Sequence, residues 1–304
     1  MAEPTDSWNN PAFLRDVQYR TDANLAARQS IYAYQHPRID LQARVIDLAA
    51  PAPGETVADV GCGNGAYLAE LARRGFAGRV LGLDMSLGML DAARERLISV
   101  GGTVRPGHSG GDLTAVAVPE GGVADLAGAA GPAGTAGSPG GVALLAADAT
   151  ALPLPDGVAD LTLAMHMLYH VPDPSQGLRE LRRVTRPGGR VVIGLNGLDH
   201  LRELREIVGA ARGDGRWGRG ERVTLDVGEA LARSCFSAVT RHDFAAELRI
   251  ADPRPIADYV RSMSGTQHGA DPERLVAAVV ARLPAAPDAV LTITTHTGCL
   301  ICEV

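Results

Sequence analysis

Short apolar runs alternate with amphipathic stretches through the middle of the chain, and that alternation predicts the fold. TVADV (56–60), RVLGLD (79–84), VALLAAD (142–148), VADLTLAMH (158–166) and RVVIGLN (190–196) are apolar on both faces, as strands covered from both sides must be. Between them, 67–74, 90–98 and 175–186 carry helical spacing. Strands separated by helices predict an α/β fold, a doubly wound and mostly parallel sheet with helices on both faces. The segments 237–250 and 290–304 read as strands that finish the sheet, with helices between them. In 198–212, Leu201, Leu204, Ile207, Val208 and Ala211 share one helical face, and 227–235 reads as another helix. Upstream, 23–34 lacks Gly and Pro, and Pro37 suits the first turn of a helix running to about residue 49, where PAPGE (51–55) breaks the pattern. The expected organisation is a helical N-terminal cap over 1–50 and a main domain over 51–304, with 198–235 as a further cap segment.

One stretch does not fit the alternation. Residues 101–141 contain thirteen glycines and four prolines, with no aromatic residue and little charge. Such a segment buries too little surface to offset its ordering entropy, so it is expected to be a flexible insertion between the second helix and the third strand.

Composition narrows the function. Of 304 residues 46% are hydrophobic but only 4% aromatic, so the core must be aliphatic. Net charge is −6, which disfavours nucleic acid as a partner. Every one of the 29 basic residues is arginine, and a chain without lysine can run neither Schiff-base chemistry nor a Walker-type phosphate loop. Four cysteines are too few for a disulfide framework. Cys299 and Cys302 form a C-x-x-C on a predicted strand, where residues three apart point to opposite faces, so they read as buried thiols and no metal site is expected. The chain opens on a polar, acidic stretch with no signal-peptide pattern, and no apolar run is long enough to span a bilayer. A cytoplasmic protein without membrane association is expected.

The chemistry concentrates in VADVGCGNGAYL (57–68), a strand, a glycine turn and a helix. Gly61, Gly63 and Gly65 let the backbone approach a ligand closely, and the helix start offers free N–H groups. Their G-x-G-x-G spacing is not the dinucleotide G-x-G-x-x-G, and Asp59, just before the turn, would repel a pyrophosphate. Asp84 ends the second strand, where a carboxylate can take both hydroxyls of a ribose. Asp148 ends the third, within reach of an exocyclic amine. Acids at three successive strand ends suit an adenosyl ligand with positive charge and no phosphates, a description that S-adenosylmethionine (SAM) meets.

With these residues the chain resembles the class I SAM-dependent methyltransferases of the type 11 group, which includes the ubiquinone and menaquinone methyltransferases. The likeness rests on VADVGCGNGAYL, on GLD (82–84), on ADATALPLPDGVADLTLAMHMLYHVPDP (147–174) and on LRELRRVTRPGGRVVI (178–193). It implies a Rossmann-like fold and SAM contacts from Asp59, Gly61, Cys62, Gly63, Asn64 and Gly65. It further implies Asp84 on the ribose, Met85 beside the adenine, Asp148 and Ala149 at the adenine edge, and Met165 near the methionine moiety. The group commonly carries two adjacent histidines where this chain has Tyr169-His170.

The implied reaction is methyl transfer to a small-molecule acceptor by in-line displacement, which needs chiefly collinear positioning. A base is required only if the acceptor must lose a proton. His166, at the C-terminal end of the fourth strand, is the better candidate for it. His170 is expected to orient or pack, at the start of the helix that follows. The acceptor pocket is expected between the N-terminal helices, with Tyr19, Arg28, Tyr32 and Tyr34, and the region from Asn196 to Arg222. Two other readings share the turn: a SAM-binding protein of this fold that transfers no methyl, and an RNA methyltransferase. The second is opposed by AMHMLYH where an N/D-P-P-Y/F element would stand, and by the acidic balance. The Arg212, Arg216, Arg219 and Arg222 run reads as a solvated loop.

Overall fold

The computed structural model describes residues 10–104, 141–213, 223–263, 271–283 and 289–304. The expected insertion therefore lies almost wholly outside the described residues, as do Arg216, Arg219 and Arg222.

Helix α1 (Pro11–Phe13) runs into a π-helical stretch, Leu14–Gln18, and is followed by α2 (Ala23–Ser30), whose last turn tightens into a 3-10 segment, Ile31–Tyr34. Next come β1 (Gln35–His36), α3 (Leu41–Ala49), β2 (Thr56–Val60), α4 (Ala66–Arg73), β3 (Arg79–Asp84) and α5 (Leu87–Ser99). After the undescribed segment the chain continues as β4 (Val142–Ala146), β5 (Ala159–Met165), a 3-10 turn Leu168–His170, α6 (Pro174–Val184) and β6 (Thr185–Asn196). It ends with α7 (Arg202–Arg212), α8 (Leu225–Cys235), β7 (Ala238–Ile250), α9 (Arg254–Met263), α10 (Pro272–Val280) and β8 (Leu291–Glu303).

The helix starts have local causes. Asp40, Ser86, Asp173, Thr224 and Asp271 each accept a backbone N–H of the first turn that would otherwise lack a partner. Asp40 also corrects the expected start at Pro37: the cap fixes the first helical residue at Leu41, because Gln35 and His36 are drawn into strand pairing.

One eight-stranded sheet runs in the order β1-β7-β8-β6-β5-β2-β3-β4. Strands β2 to β6 are parallel to one another, while β8 lies antiparallel to both β6 and β7. The chain moves outward from β2 through β3 to β4, then returns to β5 on the other side of β2. That reversal opens a crevice at the C-terminal ends of β2 and β5, where ligands bind in open α/β sheets.

The core has two layers, one on each face. Val45, Ile46, Leu68, Leu71, Leu90 and Leu97 of α3, α4 and α5 pack on one side. Leu178, Leu181 and Val184 of α6, Ala232 of α8 and Phe236 just after it pack on the other. Cys299 belongs to the first layer and Cys302 to the second, both fully buried and free, as alternation along β8 dictates. A third cluster joins Leu201, which caps α7, and Leu204 and Val208 within it to α9, α10 and Ile31, with Ile207 and Ala211 at its edge.

Of the expected 1–50 cap, α1, α2 and the 3-10 segment line the crevice, joined by Gln35 of β1 and by Leu41 and Gln42 of α3. Beyond them, β1 pairs with β7 and α3 packs into the main core.

Candidate active site

A cavity of about 580 Å³ occupies the crevice, walled by the C-terminal ends of β2 to β6, by the N-terminal helices, and by residues of α7 and α9. Of the residues singled out in the sequence, Asp59, Gly61, Cys62, Gly63, Asn64, Asp84, Met85, Asp148, Ala149 and Met165 all line it. So do His166, His170, Tyr19, Arg28, Tyr32 and Asn196.

The glycine turn is built by backbone strain that only glycine carries cheaply. Gly61 sits at φ 69°, and a Cβ there would stand 2.7 Å from Met167 Cβ. Its N–H and that of Cys62 donate to Leu83 O at the end of β3, so the turn is fastened across the switch point. Gly65 is a correction to the expected contact set, because it does not line the cavity. At φ 72° it caps α4, where a Cβ would meet that of Ala93 at 2.9 Å, so its smallness lets α4 approach α5.

Asp59 is buried, and neither carboxylate oxygen has a hydrogen-bond partner. Burial, reinforced by the nearby Asp84 charge, pushes its pKa up to about 8. The Asn64 amide nitrogen and the Tyr67 hydroxyl line the same cavity and are likewise buried without partners. A carboxylate, an amide and a phenol left unpaired in one cavity are costly unless a ligand completes them. An adenosyl ligand with a cationic amino-acid arm offers both donors and acceptors of the required kind.

Asp84 is oriented rather than orphaned. Its Oδ2 accepts Gly63 N–H and its Oδ1 accepts Ser86 N–H, both at 2.9 Å, while burial raises its pKa. Asp148 is exposed and closes its own turn, with Oδ1 accepting the N–H and hydroxyl of Thr150. The strand before it ends at Ala146, two residues earlier than expected, because that turn replaces the ladder.

His166 follows β5 at φ 55°, a left-handed conformation that non-glycine residues adopt at a cost, and its N–H donates to Gly194 O. Burial lowers its imidazole to about 4. His170 packs edge-on against Tyr19 and Tyr169, but it does not start a helix as expected. It ends a 3-10 turn, and its Nε2 lies 2.9 Å from the Tyr19 hydroxyl.

Tyr34 is the one expected pocket residue that does not line the cavity. Like Tyr32, it packs on the cluster around Ile31. Tyr32 is the one that lines the cavity, 2.9 Å from His200 Nε2. His200 Nδ1 accepts the His296 N–H, and burial pushes this imidazole down to about 3. The neutral ring therefore carries its proton on Nε2 and donates to the Tyr32 oxygen. His200, Tyr67, Tyr259 and Met263 all line the site without having been legible in the sequence. Only Tyr67 left a signal there, one turn into the helix after the glycines.

Comparison with known proteins agrees with this geometry. Two family models, both described as a methyltransferase domain, match residues 57–126 and 107–193. An uncharacterized 37.1 kDa protein in transposon TN4556 of Streptomyces fradiae is 34% identical over 52% of this chain and 34% of its own length. A malonyl-[acyl-carrier protein] O-methyltransferase of Serratia marcescens is 26% identical over 74% of this chain and 69% of its own. A demethylmenaquinone methyltransferase of Corynebacterium kroppenstedtii is 30% identical over 47% and 42%. The chain thus spans only about a third of the first of these relatives and less than half of the third. Among solved structures, the YcgJ protein of Bacillus subtilis superposes with a TM-score of 0.53 at 15% identity, covering 86% of this chain and 97% of that one. The [4+2]-cyclase SpnF does so at 0.51 and 18%, covering 86% and 79%. These structural likenesses establish the fold alone. The family models are more specific: residues 57–193 carry a SAM-dependent methyltransferase domain, similar over part of its length to the demethylmenaquinone methyltransferases.

Proposed function

We propose that this protein transfers the methyl group of SAM to a small-molecule acceptor held in the same cavity. The observation that carries the reading is the Asp59 carboxylate, buried with both oxygens unpaired at the mouth of the glycine turn. Asp59, Asn64 and Tyr67 would hold the amino-acid arm, Asp84 the ribose, and Met85, Asp148 and Ala149 the base. When bound, SAM supplies an electrophilic methyl group on a sulfonium.

The chain's contribution is then position and dryness. Met165, with its methyl packed where a Gly194 side chain would stand, fills the floor between cofactor and acceptor. The Tyr19–His170 and Tyr32–His200 pairs give the opposite wall fixed polar edges. Holding nucleophile and methyl in line can supply roughly 7–11 kcal/mol. His166 stands at the end of β5 as a neutral imidazole, able to take a proton from a hydroxyl acceptor.

Calorimetric titration with SAM tests the first half, and release of S-adenosylhomocysteine over an acceptor panel tests the second. We expect one SAM per chain, with Asp84→Ala weakening it by about one to two orders of magnitude. Absence of binding would refute the assignment. Binding without product release over any acceptor would favour a non-transferring SAM protein.

His166 yields a separate prediction. With its pKa near 4, the unprotonated form is complete above about pH 5, so its share of the rate disappears only as pH falls through 4. A base that weak should contribute near the lower end of the usual range. On a hydroxyl acceptor, His166→Ala should lower kcat by about 10²-fold and leave SAM affinity unchanged. A loss under tenfold would leave positioning as the whole of catalysis.

A further inference from the structure

The acidic residues lining the cavity are gathered at one end, while arginines (Arg28, Arg73, Arg96 and Arg205) line it on both sides. Asp59, Asp84 and Asp148 lie at the ends of β2 and β3 and just beyond β4, on the cofactor side. None of the lining residues contributed by the N-terminal helices or by the chain beyond β6 is acidic, whereas Arg28 and Arg205 are among them. Arg205 donates to Leu198 O. Arg28 has less. Its Nη1 reaches only the thioether of Met263, at 3.8 Å, and its Nη2 is buried with no hydrogen-bond partner. No carboxylate of the described residues forms an ion pair with it. The guanidinium stands 5.3 Å over the Tyr19 ring, whose hydroxyl lies 2.9 Å from His170 Nε2.

A guanidinium nitrogen buried without an acceptor is unfavourable, while a forked donor on an aromatic face is suited to a planar carboxylate. Its neighbours come from α9 and the segment before α2, elements that carry no part of the glycine turn. We infer that Arg28 is the receptor for a carboxylate on the methyl acceptor, so that the substrate is an organic acid with an apolar body lying toward Leu201, Tyr259 and Met263. This rests on the proposed function, because it names the acceptor for the same cavity. A carboxylate could also arrive on the cofactor's methionine arm, and the experiment separates the two sources.

Protein saturated with S-adenosylhomocysteine is titrated with benzoate and octanoate, each beside its uncharged amide, and binding is read by ligand-observed NMR. We expect at least one of the acids to bind tenfold or more better than its amide. Arg28→Met should abolish that preference, and Arg28→Lys should restore part of it. Calorimetry on the same variants should show S-adenosylhomocysteine affinity changed less than threefold. If Arg28→Met instead weakens S-adenosylhomocysteine by tenfold or more, the carboxylate it receives is the cofactor's and the proposal is overturned. It is also overturned if both acids bind no better than their amides to wild-type protein that holds S-adenosylhomocysteine normally, an outcome that leaves the methyltransferase reading intact. Failure of the wild-type protein to bind S-adenosylhomocysteine would remove both. The wild-type acid-to-amide comparison stands even if one variant does not fold.

Discussion

Asp59 has opposite consequences for the free and the loaded protein. With a pKa near 8 it is largely protonated at neutral pH when no cation faces it. The unfolded chain would release that proton near pH 4, so between about 4 and 8 the folded state binds the extra proton and its stability falls as pH rises. A cationic ligand reverses the preference and favours the carboxylate. Binding of SAM at pH 7 should therefore release close to one proton, and affinity should climb by up to about tenfold per pH unit until about pH 8. Calorimetry in two buffers of different ionisation enthalpy measures the release, and Asp59→Asn should remove it; a buffer-independent enthalpy in the wild type would contradict the assignment. At this scale the cofactor side was legible in the sequence, because a strand, a turn and the next strand end bring Asp59, the glycines and Asp84 together by local geometry. Tyr32 with His200, and Tyr19 with His170, were not. Their partners are more than 150 residues apart, and no spacing announces such a pair.

Whole elements were easier to read than their ends. The five parallel strands follow from apolar runs, and the buried face of α7 from its 3.6-residue period. The start of α3 was misplaced because Pro37 is sterically permitted in a first turn, whereas the Asp40 side chain makes the actual cap. What attaches α7 is also silent in the pattern. Glu203, in its first turn, accepts the N–H of Thr294 at 2.7 Å and its hydroxyl at 2.8 Å, tying the helix to β8. Burial opposes the charge, yet these bonds prevail and hold Glu203 at about 2. Its contribution is complete above about pH 4.5 and is lost as pH falls toward 2. Replacing Glu203 with Ala should cost about 1–3 kcal/mol in denaturant unfolding at pH 7, since the Thr294 donors lose their partner. The same variant at pH 2 should differ little from wild type. An equal cost at both pH values would mean that the carboxylate charge is not what matters.

At the scale of the molecule, the alternation of strands and helices foretold the doubly wound sheet, but not its order or the antiparallel return of β8 between β6 and β7. Order is decided by which apolar faces fit, and a pattern along the chain does not encode it. The two sides of the 105–140 segment are already joined: Val142 N–H donates to Thr103 O, and Val104 bridges Val142 in parallel. Closure of the sheet edge is thus independent of what lies between. Replacing 105–140 with a short Gly/Ser linker should shift Tm by only a few degrees, because loop entropy varies weakly with length. A cooperative loss of fold on this deletion would show that the segment contributes to the core.

The two thiols of β8 turn the layered core into a pair of clocks. Cys299 lies under α3 and α4 and Cys302 on the opposite face, both fully buried and both pushed by burial up to about 12. Neither can react until its own layer opens, so alkylation rates followed by mass spectrometry time the two faces separately within one strand. A cofactor that braces the glycine turn and α4 should slow the Cys299 clock more than the Cys302 clock. Equal slowing of both would mean that the two layers open as one unit.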